Sequence, residues 1–316
     1  MAVVDSPFTG TDLAGFIPER WPGMINKEMF AKATAANFFL DLSSSVTEGA
    51  DIIHVPDVYT NAFTGQTQGT QGAEVTTEGP AQVDTTLTIN THKYVAAIIG
   101  DKDMAQLAAQ YDYNMVYIEK MAGTLRTALE AALFGLWSGL STSVIGDTAT
   151  VVSDSEIRQA VNALDSYNFG LESDVAWFFH PYVYWLQLGA VSKYYDQSVA
   201  GPLSMPGFTR SGELGQGMPA TNHKGFLYGI PVYTSTNVVS GLQTYRNLLA
   251  HKSAFGYATQ TLSGAQMLES GRVRAQTNYE LRNLGQLTVV DMIYGVAELR
   301  DTAAVVVNAS NAFLGS

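Results

Sequence analysis

The sequence predicts an α+β fold organised around one long helix, and three features carry the prediction. Helical and strand-like segments are mixed without the regular strand–helix alternation of a doubly wound parallel sheet. One stretch, residues 101–139, holds the strongest helical periodicity. Just before it, two strand-like arms flank a polar tract longer than the loops of compact domains ordinarily are. Bulk composition agrees, since 316 residues with 46% hydrophobic side chains are enough to bury a sizeable core as one large domain or two smaller ones. Only 15% of residues are charged, against roughly 25% in ordinary globular chains, which fits a surface largely covered by other subunits.

Taken in order, Phe16-Ile17-Pro18 and Trp21-Pro22 give extended or turn signals, so the first residues are expected to form an arm. A short helix is expected over about residues 26–42, where Met29, Ala33, Ala36 and Leu40 keep helical spacing. Residues 49–56 have the pattern of a strand that Pro56 stops. From Thr60 to Gln82 the chain is mostly Gly, Thr and Gln. No Lys or Arg occurs between Ala33 and His92, whereas Asp41, Glu48, Asp51, Asp57, Glu74, Glu78 and Asp84 are acidic. Val83, Thr85, Leu87 and Ile89 then alternate with polar residues at a period of two. As a hairpin, residues 57–92 reach roughly 50 Å at about 3.3 Å per residue, further than the subunit can cover with its own surface. Either this tip is loose or it lies on a neighbour.

In the long helical stretch Met115, Ile118, Ala122, Leu125, Leu129, Leu133 and Leu136 form one apolar stripe, with a break expected at Tyr111-Asp112 and a stop at Gly139. Ser153-Asp-Ser-Glu156 is a capping box ahead of Ile157, Ala160, Val161 and Leu164. Residues 175–179 form an unbroken apolar strand that His180-Pro181 closes, and a further helix is expected over 182–192. That uncharged run, interrupted by proline and crowded with aromatics, is expected to be buried rather than to span a membrane. Residues 196–224 are a Gly-, Pro- and Ser-rich surface excursion. Residues 229–234 and 248–251 have strand patterns, and the chain from Arg272 onward is strand-rich.

Several function classes are excluded by composition. With 17 Lys+Arg against 29 Asp+Glu, the net charge of −12 gives no basic footprint for a nucleic-acid backbone. The absence of cysteine removes thiolate metal sites, iron–sulfur clusters, disulfides and cysteine nucleophiles. No basic stretch followed by an apolar run opens the chain, so no signal peptide is expected. There is no nucleophile elbow, phosphate loop, paired-histidine zinc motif or EF-hand loop. Gly212, Gly215 and Gly217 have the wrong spacing for a dinucleotide fingerprint. The five histidines are dispersed, and Asp101 and Asp103 suit the positive end of a helix better than acid–base chemistry. No catalytic residue, cofactor or metal site is therefore expected.

Read together, these pieces resemble the major capsid proteins of tailed bacteriophages, with the Hong Kong 97-type fold, over roughly residues 17–310. Ile17-Pro-Glu-Arg-Trp21 resembles the family's N-terminal arm and Asp51-Ile-Ile-His-Val-Pro56 the strand into its extended loop. Leu87-Thr-Ile-Asn-Thr-His-Lys-Tyr94 and Ile99-Gly-Asp-Lys-Asp-Met104 resemble the return strand and the start of the spine helix. Leu164-Asp165, Phe179-His-Pro181, Gly229-Ile-Pro-Val232 and Ser235-Thr-Asn237 resemble the axial domain, and Gly295-Val-Ala-Glu-Leu-Arg300 with Ala304-Val-Val306 the last strands.

The resemblance implies an N-terminal arm over 1–56, an extended loop over 57–92 and a peripheral domain with the spine helix over 93–148. An axial domain over 149–250 and a strand-rich return to the peripheral domain over 251–316 complete it. It further implies self-assembly into the hexamers and pentamers of an icosahedral shell that encloses double-stranded DNA without sequence-specific binding and without a membrane. Assembly in the host cytoplasm and residence in the virion follow. So do a portal and a decoration protein and, since no long charged helical prefix is present, a separate scaffolding protein. Crosslinking through a loop lysine, known in some relatives, is not expected here, since the loop has none. The residues expected at subunit contacts are Trp21, Asp57, Glu74, Glu78, Lys93, Arg272, Arg274 and Arg282, the acidic loop meeting the cations of the next subunit. The alternatives are an encapsulin-type compartment shell and a soluble enzyme with an unrecognised site.

Overall fold

The computed structural model describes residues 34–46, 50–57, 83–106, 113–167, 174–188, 223–238, 244–262, 266–268 and 272–311. The chain begins there with a single helical turn, α1 (Ala35–Phe38), and a short strand, β1 (Leu40–Asp41). The helix expected over 26–42 is thus one turn within its described part. Phe39 is already extended, because pairing of Leu40 and Asp41 with a sheet edge outweighs the local helical spacing. A hairpin follows, β2 (Ile52–Asp57) and β3 (Val83–Thr88), then β4 (Thr91–Gly100), α2 (Asp101–Gln106) and the long α3 (Tyr113–Gly135). Pro56 does not end β2 but lies inside it opposite Asp84. An outer strand of a two-stranded ladder tolerates proline because the missing N–H faces away from the partner.

The remaining elements are β5 (Val144–Ile145), α4 (Asp154–Ser166), β6 (Val175–Phe179), β7 (His223–Leu227), β8 (Ile230–Thr234), β9 (Thr244–His251), β10 (Phe255–Gln260), β11 (Gln266–Leu268), β12 (Val273–Glu280), β13 (Gly285–Glu298) and β14 (Ala304–Ser310). They form two six-stranded sheets. The first runs β1-β10-β13-β12-β11, with β4 on the other side of β13, and the second runs β5-β14-β9-β6-β8-β7. Residues 251–316 were expected to return to the peripheral domain. Strands β10–β13 lie in the first sheet, and β14 lies in the second, between β5 and β9.

Alternation along β13 explains its central place. Val290, Met292, Tyr294 and Val296 face one way, into a core shared with Ile118, Met121, Leu125 and Leu129 of α3. Ile293 and Ala297 face the other way and pack with Ile53, Leu87 and Ile89 of the hairpin segment. The second sheet is likewise buried on both faces. Trp177 and Phe179 of β6 lie with Ile157, Ala160 and Leu164 of α4, while Ala176 and Phe178 join the core of the first sheet. This is why residues 175–179 are apolar without interruption. Phe178 packs against Phe38, Phe39, Phe134, Trp137 and Tyr233, at ring separations of 5.4–6.3 Å, and so ties the two sheets together.

Local chemistry sets the boundaries. Ser153 caps α4 in a reciprocal box with Glu156, as its sequence predicts. The segment expected as a helix over 182–192 is helical in its described part, residues 182–188, and is wound as a π-helix over Val183–Gln187; residues 189–192 lie outside the described residues. The spine carries an ionisable side chain on its inner face. Glu130, 2% exposed, accepts from the backbone N–H of Thr34 and Ala35 at Oε1 (2.7 Å each) and of Ala36 at Oε2 (3.1 Å). Burial pushes its carboxyl up and the three N–H groups oppose that shift. Those donors belong to the first turn of α1, which lacks an intrahelical partner for them.

Glu130→Ala leaves these buried donors unpaired, and chemical denaturation is expected to show a loss of about 1–3 kcal/mol. A variant as stable as the parent would show that the α1 turn is not fixed by this carboxylate.

Candidate inter-subunit surface

The surface with functional geometry is built where the hairpin leaves the first sheet. Between β3 and β4 the chain crosses over β13, and the crossing has no room for a side chain. A Cβ on Gly295 would stand 2.2 Å from the Thr88 carbonyl oxygen and 2.9 Å from Ile89 Cα. Ile89 N–H donates to the Asp51 carbonyl at 2.7 Å, which closes the hairpin at its base. Ile53, Leu87 and Ile89, with Ala258, form a small separate core under this crossing. The base of the hairpin is therefore packed and hydrogen-bonded.

A second anchor fixes the preceding segment. The Arg272 guanidinium donates to Asp41 and lies 5.8 Å from the Tyr257 ring centroid. Ser43 Oγ, beside Asp41, also accepts from Thr259 N–H at 3.0 Å. Burial and then the Asp41 charge push the Tyr257 hydroxyl up to about 12. A third cluster sits on β4, β12 and β13. Arg274 holds Asp291 through two bonds, Nε to Oδ1 at 3.0 Å and Nη2 to Oδ2 at 2.6 Å, and His92 Nε2 lies 2.9 Å from the same Oδ2. Burial pushes the Asp291 carboxyl up, but the hydrogen bonds and charges of Arg274 and His92 outweigh it and hold the group below its ordinary value.

Of the residues expected at subunit contacts, Trp21, Glu74 and Glu78 lie outside the described residues, and Asp57 ends β2 opposite Val83. Arg272 and Arg274 are engaged inside the chain. Lys93 and Arg282 are exposed and make no ion pair among the described residues. Sequence reading missed Gly295 and Asp291. Gly295 opens a run already matched to the last strands but carries no signal of a close crossing, Asp291 belongs to no motif, and only the pairing of β13 and the approach of Thr88 reveal their roles. Among the described residues no three His, Asp or Glu side chains gather as a metal site, and no helix is long and apolar enough to cross a membrane. His180 stacks on Tyr245 at 4.2 Å, with its imidazole pushed down by burial, and His251 accepts from Ser253 N–H at 3.2 Å.

No protein-family model matches the chain, and no curated protein matches it. Solved structures do. A protein of Mycobacterium phage Che8 superposes with a TM-score of 0.68 at 18% identity, covering 92% of this chain and 97% of its own. The capsid of cyanophage P-SCSP1u gives 0.68 at 15% identity, covering 96% of both chains. This chain has the tailed-phage major capsid fold. The encapsulin of the holo-SrpI complex from Synechococcus elongatus PCC 7942 shares that fold, with a TM-score of 0.64 at 11% identity over 98% of this chain and 99% of its own. On this capsid fold the hairpin base and the His92–Asp291–Arg274 cluster both lie on β13, whereas the α1 segment packs on the spine helix and leads into β1 at the β10 edge of the same sheet.

Two outcomes are expected. Gly295→Ala forces backbone against side chain and is expected to cost at least about 3 kcal/mol in denaturant unfolding, whereas an unchanged midpoint would mean that the crossing is loose. For Asp291, a folded pKa below the ordinary 3.8 adds stability that is complete above that value and is lost as pH falls through the folded pKa. Unfolding free energies measured between about pH 4 and pH 2 are expected to fall less steeply for Asp291→Asn than for the parent. Equal slopes would remove Asp291 as the titrating group.

Proposed function

We propose that this chain is a major capsid protein that self-assembles into the icosahedral shell of a tailed-phage head enclosing double-stranded DNA. The observation that carries the reading is the likeness to phage capsid structures over nearly the whole length of both partners. The low charged fraction and the acidic balance support it. A shell subunit covered by neighbours needs few free charges, and a container does not have to neutralise its contents. Obligate interfaces commonly bury about 2,000–5,000 Å², so several per subunit stabilise a shell cooperatively. The role is structural rather than enzymatic. The subunits form hexamers and pentamers on a separate scaffolding protein in the host cytoplasm, with a portal and a decoration protein as further partners.

Within that reading the extended loop of residues 57–92 clamps a neighbouring subunit, with Trp21 and the arm reaching across another boundary. Glu74 and Glu78 of one copy meet Lys93 and Arg282 of the next. Arg272 and Arg274 already serve Asp41 and Asp291 and contribute less. Each exposed pair is worth only about 0–1 kcal/mol and is screened beyond about 8 Å, but repetition around a shell sets register. The encapsulin structure is the specific observation behind a second reading, a cargo compartment with the same fold.

Electron microscopy of the chain, alone and co-expressed with its neighbouring genes, is expected to show closed shells. Packaged DNA marks a phage head, a protein cargo marks a compartment, and small oligomers in every sample would sink both readings. Reversing Glu74 and Glu78 to Lys together is expected to impair shell formation while the free subunit keeps its thermal midpoint. Normal particles from that double variant would refute the charge register.

A further inference from the structure

Every sheet ends in edge strands whose free N–H and C=O groups invite another strand, and folded proteins blunt such edges. Most edges here are managed. β1 and β5 have two residues each and β11 has three. β7 has a register break between His223 and Gly225. β2 contains Pro56, and β3, only six residues long, carries Asp84. β4 is the exception. It runs for ten residues, THKYVAAIIG, with no proline and, after Lys93 near its start, no charged side chain, and it pairs with β13 in unbroken register from Thr91–Tyr294 to Gly100–Gly285. Among the described residues no strand pairs with its other side. Tyr94 (70% exposed) and Ile98 (43%) stand on its outward face with Ala96 between them. Beyond its end lie Leu281 and Leu284, also exposed, and Leu284 is held at a φ of +45°, a conformation a leucine rarely adopts without a reason.

We propose that the free edge of β4 receives an extended strand from a second copy of this chain, so that the first sheet continues across a subunit boundary. The inference rests on the capsid reading. The size of the edge favours a second copy over an independent partner. A ten-residue strand is about 33 Å long, and one added strand along it buries much less than the roughly 1,200 Å² of a self-standing interface. Such a contact holds only where the partner is fixed at other places too, as a repeated subunit is. Main-chain pairing supplies the contact without demanding charged side chains, in keeping with the sparse charge of the chain.

Hydrogen–deuterium exchange on the full chain, as free subunit and as purified shell, tests this. Peptides covering Thr91–Gly100 are expected to exchange at least tenfold more slowly in the shell, at about half of their amides, because alternate N–H groups point away from β13. Peptides within β13, paired on both sides already, serve as the internal reference and are expected to change little. Ile98→Lys and Ala96→Lys, which place a charge beside the edge as natural edge strands do, are expected to lower shell yield at least tenfold with the subunit thermal midpoint unchanged. Shells in which β4 exchanges as fast as in the free subunit overturn strand addition while leaving the capsid reading intact. Protection that arises only when a different protein is added overturns the second copy as the occupant. A parent chain that forms no shell under any co-expression overturns both.

Discussion

The fourteen residues of β13 carry a constraint that the rest of the first sheet obeys, which is burial on both faces. One face must fit the spine helix and the other must admit the returning hairpin. The strand meets both demands by alternating valine, methionine and tyrosine toward α3 with isoleucine, glycine and alanine toward the hairpin. The glycine sits where a main chain, rather than a side chain, occupies the space above the sheet. Since β4, β10 and β12 all pair with this one strand, an error in its register would turn each of these relations inside out.

The two sheets are not independent bodies. Phe178 leaves the second sheet and enters the aromatic group made by the end of the spine and the α1 turn. Leu248, Ala250 and Val306 follow it into the same core. Glu130 then ties the start of the described chain to the middle of the spine by main-chain hydrogen bonds rather than by apolar contact. A buried carboxylate facing amide donors is directional where hydrophobic packing is not, so it fixes the orientation of the α1 turn on the spine.

What the sequence revealed was whatever depended on neighbours along the chain. The capping box at Ser153 and Glu156, the period of two from Val83 to Ile89 and the doubly buried strand at residues 175–179 are all local signals. The stripe from Ile118 to Leu133 gave the spine for the same reason. What failed was non-local. The helical spacing before Leu42 yielded to pairing with β10, more than two hundred residues away. Arg274 looked available to a neighbour because its partner, Asp291, lies across a hairpin whose register the sequence does not display. Nothing local marks Glu130 as buried, since the first of the amides it serves lies 96 positions earlier.

Pro56 has a consequence for how the hairpin meets other chains. Among the described residues β2 and β3 form a two-stranded ribbon with no further strand on either side, a shape that can be extended by stacking. A residue that cannot donate a hydrogen bond leaves a gap on one side of that ribbon. Growth along that side stops at the first layer, so the ribbon is poor material for a fibril. One ring on one strand thus keeps a sticky shape from finding the wrong copy of itself.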